Sequence, residues 1–132
     1  MRRANMTTEL DPAIRDYFDA LTALDREAYV AAFSSDASVQ DPYGGPVLEG
    51  EEGLNKFFDG MERTWQSFRM TPAKGHKSGN RVAVPWSTTA TARNGKQAEF
   101  EGVNVFELDE DGRIQSLEGY WDFKGMLAQI RE

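Results

Sequence analysis

At 132 residues and 14.8 kDa the chain has the size of one ordinary domain, and its 39% hydrophobic and 11% aromatic residues suit a packed core rather than disorder. With 22 acidic residues against 15 basic ones the formal charge is −7, which speaks against a nucleic-acid binder that neutralises phosphates and against an anionic membrane surface. The absence of cysteine and the single histidine exclude disulfides, thiolate nucleophiles, Cys-ligated zinc or iron–sulfur sites and metal sites built from several imidazoles. Acid–base chemistry is left mainly to carboxylates, tyrosines, lysines and His76.

Residues 1–9 read as a short polar leader with two arginines and no apolar centre, and no apolar run of membrane-spanning length follows. The expectation is a soluble, cytoplasmic protein with one domain over 10–132. Asp11 followed by Pro12 marks a helix start, and Leu10, Ile14, Tyr17, Phe18 and Leu21 recur at helical spacing to about Leu24. Asp25 caps a shorter second helix with Tyr29, Val30 and Phe33 inward, ending near Ser34 to Asp36. A short strand, Ala37 to Gln40, runs into the loop Asp41-Pro42-Tyr43-Gly44-Gly45-Pro46. A third helix begins after Gly50, its first turn acidic with Glu51 and Glu52, its apolar stripe made of Leu54, Phe57, Phe58, Met61 and Trp65.

From Ser67 the period changes to two. Strands are expected over Phe68 to Lys77, Arg81 to Ala92, Gln97 to Leu108 and Arg113 to Phe123, joined by turns that carry Gly79-Asn80, Asn94-Gly95 and Asp111-Gly112. Lys124 to Ile130 reads as a short closing helix. Helices first and a strand meander second give an α+β fold, with helices packed on one face of a curved, mostly antiparallel sheet.

A few polar residues sit oddly in that pattern. Asn104 falls on the apolar face of its strand, where an amide either bridges backbone groups or serves a site. Tyr17 lies on the buried stripe of the first helix, a common place for an amphipathic ring with its hydroxyl near water. Asp41 ends an inward-running strand before a proline loop, where a turn cap and a functional carboxylate are both at home. His76 stands near a polar strand end beside Lys74 and Lys77, expected to be exposed and without a ligand partner.

Three segments then carry a resemblance: Ala37-Ser38-Val39-Gln40-Asp41-Pro42-Tyr43-Gly44, Leu48-Glu49-Gly50-Glu51-Glu52-Gly53-Leu54, and Asp109 to Leu117 continuing through Tyr120-Trp121. Together, over roughly residues 12 to 123, they resemble the bacterial steroid Δ5-3-ketoisomerases of the NTF2-like (SnoaL-like) superfamily. The resemblance implies a cone-shaped NTF2-like domain in which about three helices cover a curved sheet. It places the general base on Asp41, a donor to the substrate oxygen on Tyr17, and the second donor on Asn104. At that last position the family carries an Asp that its apolar site keeps protonated, so that it can donate a hydrogen bond. An amide donates at any pH but polarises less, so weaker catalysis is implied. Phe33 and Phe58 stand where family members carry tyrosines that support the oxyanion tyrosine, and Trp121 matches a tryptophan near the base, although a core role suits it equally.

The chemistry implied is migration of a C=C bond beside a ketone by proton transfer, with no metal or organic cofactor. The partner is a hydrophobic small molecule, a steroid or another polycyclic ketone, held by Phe57, Phe58, Phe100, Leu117 and Trp121. If Asn94-Gly95 forms a two-residue turn, Ser87, Thr89 and Thr91 share the side of Phe100 and Asn104. That register puts Val84, Trp86, Val103 and Val105 on the outer face, where they read as a homodimer surface. Two other readings stay open: a SnoaL-like polyketide cyclase or hydratase, suited to the threonine-lined register and to Asn104, and a non-catalytic binding dimer, suited to the absent tyrosines.

Overall fold

The computed structural model describes residues 10–131, so the leader expected over 1–9 lies outside the described residues. Helix α1 covers Pro12–Ala23 and α2 covers Arg26–Ala31, followed by strands β1 (Phe33–Gln40) and β2 (Leu48–Glu49) and by helix α3 (Gly50–Thr64). The meander follows as β3 (Trp65–Pro72), β4 (His76–Ser78), β5 (Arg81–Ala92), β6 (Gln97–Leu108) and β7 (Ile114–Trp121), and helix α4 (Phe123–Ile130) closes the described chain. The sheet runs β2-β1-β7-β6-β5-β3, with β4 also paired to β5. Every pairing is antiparallel except β1 with β7. This is the α+β arrangement the periodicity implies.

Local chemistry explains most boundaries. Asp25 caps α2 by accepting from the Ala28 amide, and Leu24 ends α1 in a left-handed conformation, φ 53°. Asp11 does not cap α1 with its side chain; that carboxylate instead meets Lys77 at 2.9 Å and ties the helix start to β4. The second helix ends at Ala31, earlier than its apolar spacing suggests, because Phe33 already pairs with Ile114 and the strand begins there rather than at Ala37. Strand pairing, a tertiary contact, overrides local helical spacing. The strand expected over Phe68 to Lys77 is divided by Ala73-Lys74-Gly75, because the pairing of Pro72 with Trp86 and of His76 with Ala83 differ by one residue in register. Arg26 holds α2 to α3 by reaching Asp59 at 2.7 Å and Glu62 at 2.8 Å.

The β5–β6 register corrects an expectation. Thr91 pairs with Gln97 and Val84 with Asn104, so the connection is one residue longer than a two-residue turn, and Gly95 sits in it at φ 88° with its amide bonded to the Ala92 carbonyl. A shift of one residue turns a whole strand over. Val82, Val84 and Trp86 therefore face the core beside Asn104, and Ser87 and Thr89 are exposed on the far side. Val84 and Trp86 cannot belong to an outer patch; that face carries Ala83, Pro85, Val103, Val105 and Tyr120 instead.

The core lies between the helices and the inner sheet face. Tyr17, Tyr29, Phe18, Phe58, Phe106, Ile14 and Leu117 are among its largest fully buried side chains. At roughly 1.5–3 kcal/mol for each large apolar side chain buried, this layer supplies the main driving force of folding. Among the described residues no helix is long and apolar enough to cross a membrane.

Candidate active site

The parallel pairing of β1 with β7 builds the site. Val39 lies opposite Leu117 and Gln40 opposite Glu118, which brings the next residue, Asp41, beside Gly119. A Cβ at Gly119 would overlap the Asp41 carboxylate and would stand 3.1 Å from Oδ1 of Asn104, so the bare backbone there lets both side chains close in. The Tyr43 amide donates to the Gly119 carbonyl at 2.7 Å and holds the loop against the strand. Two residues further along β7, the Trp121 indole donates to Asp41 Oδ1 at 2.6 Å.

Asp41 is half-buried, and burial pushes its carboxyl up to about 6, against the lowering effect of the Trp121 hydrogen bond. It is thus a stronger base than an ordinary aspartate and is still mostly ionised at neutral pH.

Tyr17, Asn104 and Trp86 form the other polar group. The Trp86 indole donates to Asn104 Oδ1 at 2.9 Å, and Asn104 Nδ2 donates to the Tyr17 oxygen at 3.1 Å. Tyr17 and Asn104 have no exposed surface, and Trp86 is 4% exposed. Burial, with the nearby Asp41 charge second, holds the Tyr17 phenol well above its ordinary value, while the Asn104 hydrogen bond opposes the rise. Tyr17 is accordingly a neutral phenol at neutral pH.

A cavity of about 330 Å³ receives both groups. Tyr17 and Asp41 are in its lining, together with aromatic and thioether side chains that include Trp86, Phe100, Trp121 and Met61. Of the wall residues expected from the sequence, Phe57, Phe100 and Trp121 line it, and Phe58 and Leu117 do not. Phe58 points instead into the core, with Tyr29 at a centroid distance of 5.4 Å and the Arg26 guanidinium 5.3 Å from its ring. Leu117 is held behind the wall, opposite Val39 and Phe106. Asn104 is also outside the lining and reaches the cavity through Tyr17.

Helix α4 contributes Phe123, Met126 and Leu127, a wall that the strand-and-helix pattern alone does not reveal. Trp86 escapes the sequence reading because of the register; the alternation of Val82, Val84 and Trp86 with Ala83, Pro85 and Ser87 is the signal that marks it as inward. Lys56 is the one cationic side chain of the lining, at its exposed rim. His76 is exposed on β4, away from the lining. Tyr29, 5.9 Å from the Tyr17 ring, buries a hydroxyl that finds no partner among the described residues, while Phe33 and Phe58 bring no hydroxyl at all. Among the described residues no three His, Cys, Asp or Glu side chains are grouped to hold a metal ion.

Residues 14–117 match the SnoaL-like domain family. The chain belongs to that family. A curated relative, the Steroid Delta-isomerase of Nocardioides simplex, is 25% identical over 119 residues, covering 88% of this chain and 92% of the relative. Among solved structures, an NTF2-like protein of unknown function from Burkholderia pseudomallei superposes with a TM-score of 0.80 at 23% identity, over 98% of this chain and 100% of that one. The epoxide hydrolase/cyclase-like enzyme SalBIII, studied for pyran ring formation in the polyether salinomycin, superposes with a TM-score of 0.75 at 24% identity, over 86% of this chain and 90% of that one. At these identities the two structures speak for the SnoaL-like/NTF2-like fold, and the chemistry has to be argued from the side chains.

Proposed function

We propose that this SnoaL-like protein is a cofactor-independent isomerase that moves a C=C bond by proton transfer next to a ketone, in the manner its steroid isomerase relative is named for. The observation that carries the reading is the shared cavity: a carboxylate raised to about 6 and a neutral buried phenol open into the same mainly apolar space. Asp41 takes the proton from the carbon between carbonyl and alkene, and the C–H electron pair enters the enolate. The Tyr17 hydroxyl stabilises the enolate oxygen, with Asn104 assisting through its hydrogen bond to Tyr17. Protonated Asp41 then returns the same proton to the far carbon of the conjugated system, restoring the carboxylate. A steroid or comparable polycyclic ketone fits the apolar lining.

In the observed register Ser87 and Thr89 face outward, which removes one of the two features behind the polyketide cyclase or hydratase reading; the other, the inward Asn104, is tied to Trp86 and Tyr17 and does not line the cavity. The test is conversion of a β,γ-unsaturated ketosteroid, followed by the absorbance of the conjugated product. Turnover above buffer that disappears in Asp41→Asn while product binding survives supports the isomerase. Tight binding with no turnover in the unaltered protein marks a passive binding module. We also propose that a second copy covers the outer face around Val103, Val105, Pro85 and Tyr120, because these partly exposed apolar residues adjoin on one side of β5–β7. Sedimentation of the protein as a dimer that Val103→Glu splits is the expected result.

A further inference from the structure

The direction of the hydrogen bonds behind Tyr17 has a chemical consequence. An indole N–H can only donate, so the Asn104 atom facing Trp86 at 2.9 Å has to be its carbonyl oxygen. The amide nitrogen then faces Tyr17, and it too can only donate, so the phenol oxygen accepts at 3.1 Å. The Tyr17 proton must therefore turn away from Asn104. Among the described residues no group accepts it, and Tyr17 lines the cavity. Without the indole N–H, Asn104 is free to rotate its amide by half a turn, present its oxygen to Tyr17 and capture the phenol proton.

We infer that Trp86 is a positioning residue, whose indole N–H locks the Asn104 amide in the one orientation that leaves the Tyr17 proton pointing into the cavity. The role rests on the isomerase reading for its effect on rate, but the orientation itself does not. No group in the chain from Trp86 through Asn104 loses or gains a proton in the working range, so the donor is set at any pH at which Asp41 is ionised. A polarised run of three aligned donors also strengthens the last one. Trp86 thus has two parts: an aromatic face on the cavity wall and an N–H that acts at one remove.

Trp86→Phe separates them, since it keeps an aromatic wall and deletes the N–H. On a β,γ-unsaturated ketosteroid, kcat should fall about tenfold, the scale of one well-placed hydrogen bond, with KM changed by less than about threefold. A bound conjugated ketone should lose most of the lowering of its C=O stretching frequency. In an Asn104→Leu background the same Trp86 substitution should do neither, because there is no amide left to orient. A readout that needs no ligand is the 13Cζ resonance of Tyr17 in tyrosine-labelled protein. It should move in Trp86→Phe, as the phenol passes from acceptor to donor, and stay still when Trp86→Phe is added to Asn104→Leu. A Tyr17 resonance unmoved by Trp86→Phe overturns the inference, whether or not Asn104→Leu folds. A resonance that moves in a protein without turnover leaves Trp86 as the orienting group and sinks only the isomerase.

Discussion

Two tryptophans on the inner face of the sheet make the same hydrogen bond to different acceptors. Trp121 donates to the carboxylate of Asp41 at 2.6 Å, and Trp86 donates to the amide of Asn104 at 2.9 Å. The first pair contains a titrating group, so its indole changes a pKa: it opposes the burial that raises Asp41 to about 6. The second contains none, so its indole changes a direction. One end of the cavity responds to pH and the other is set by geometry, a division that in the proposed isomerase would let a base and a hydrogen-bond donor work side by side without competing for a proton.

The largest test of this division is loss of the base. Asp41→Asn should lower kcat on a β,γ-unsaturated ketone by about 10³ to 10⁴, near the upper range for a positioned general base, while a bound product analogue still associates. Its stability should change in the opposite sense. Because the folded pKa, about 6, exceeds the unfolded value near 3.8, native protein binds more protons than unfolded protein between those pH values. Asp41 therefore costs stability as pH rises through that window, on the order of 2–3 kcal/mol by pH 7. Thermal melting should show Asp41→Asn more stable than the parent at pH 7.5, with the advantage gone at pH 3.5. An equal difference at both pH values would remove burial as the origin of the raised pKa.

At the other end, Tyr17→Phe should cost about 10² to 10³ in kcat, the usual loss for one oxyanion donor. The pH profile should separate the two ends more finely. kcat/KM should rise with pH through an inflection near 6, losing about tenfold from pH 7.5 to pH 5, and then stay flat, since Tyr17 is held well above the ordinary phenol range. A second inflection between pH 7 and 9 that vanishes in Tyr17→Phe would show the donor end to be titrating after all.

Legibility differed between the two ends for a physical reason. Asp41 stands out because a strand, an acid and a proline loop follow one another in the chain, and Tyr17 because helical spacing puts it on the buried side of α1. The ends of β5 and β6 were equally plain, since alternation and flanking turn residues are local signals. The pairing of those strands was not, because it depends on the parity of a turn: one added residue around Gly95 carries Trp86 from the outside to the cavity wall. The hydrogen bond of Trp86 to Asn104 spans 18 residues and exists only in the correct register. Long-range contact also explains the early start of β1 at Phe33, and the arrival of α4 on the cavity, which its own apolar positions announce only as a helix needing a partner.

The smallest expected effect separates the tryptophans themselves. Trp121→Phe keeps a ring able to stack where Trp121 now meets Phe100, with centroids 5.2 Å apart at 26°, and deletes the hydrogen bond that lowers the Asp41 pKa. Burial is then opposed by less, so the inflection in kcat/KM should move above 6. At pH 6 the variant should be several-fold slower than the parent, because less of Asp41 is ionised. On the plateau above pH 8 it should match or exceed the parent, because the remaining carboxylate is the stronger base. Trp86→Phe, by contrast, should lower the plateau and leave the inflection where it was. If both substitutions shift the inflection, the amide end is coupled to the ionisation of Asp41; if neither does, the indole of Trp121 serves packing alone.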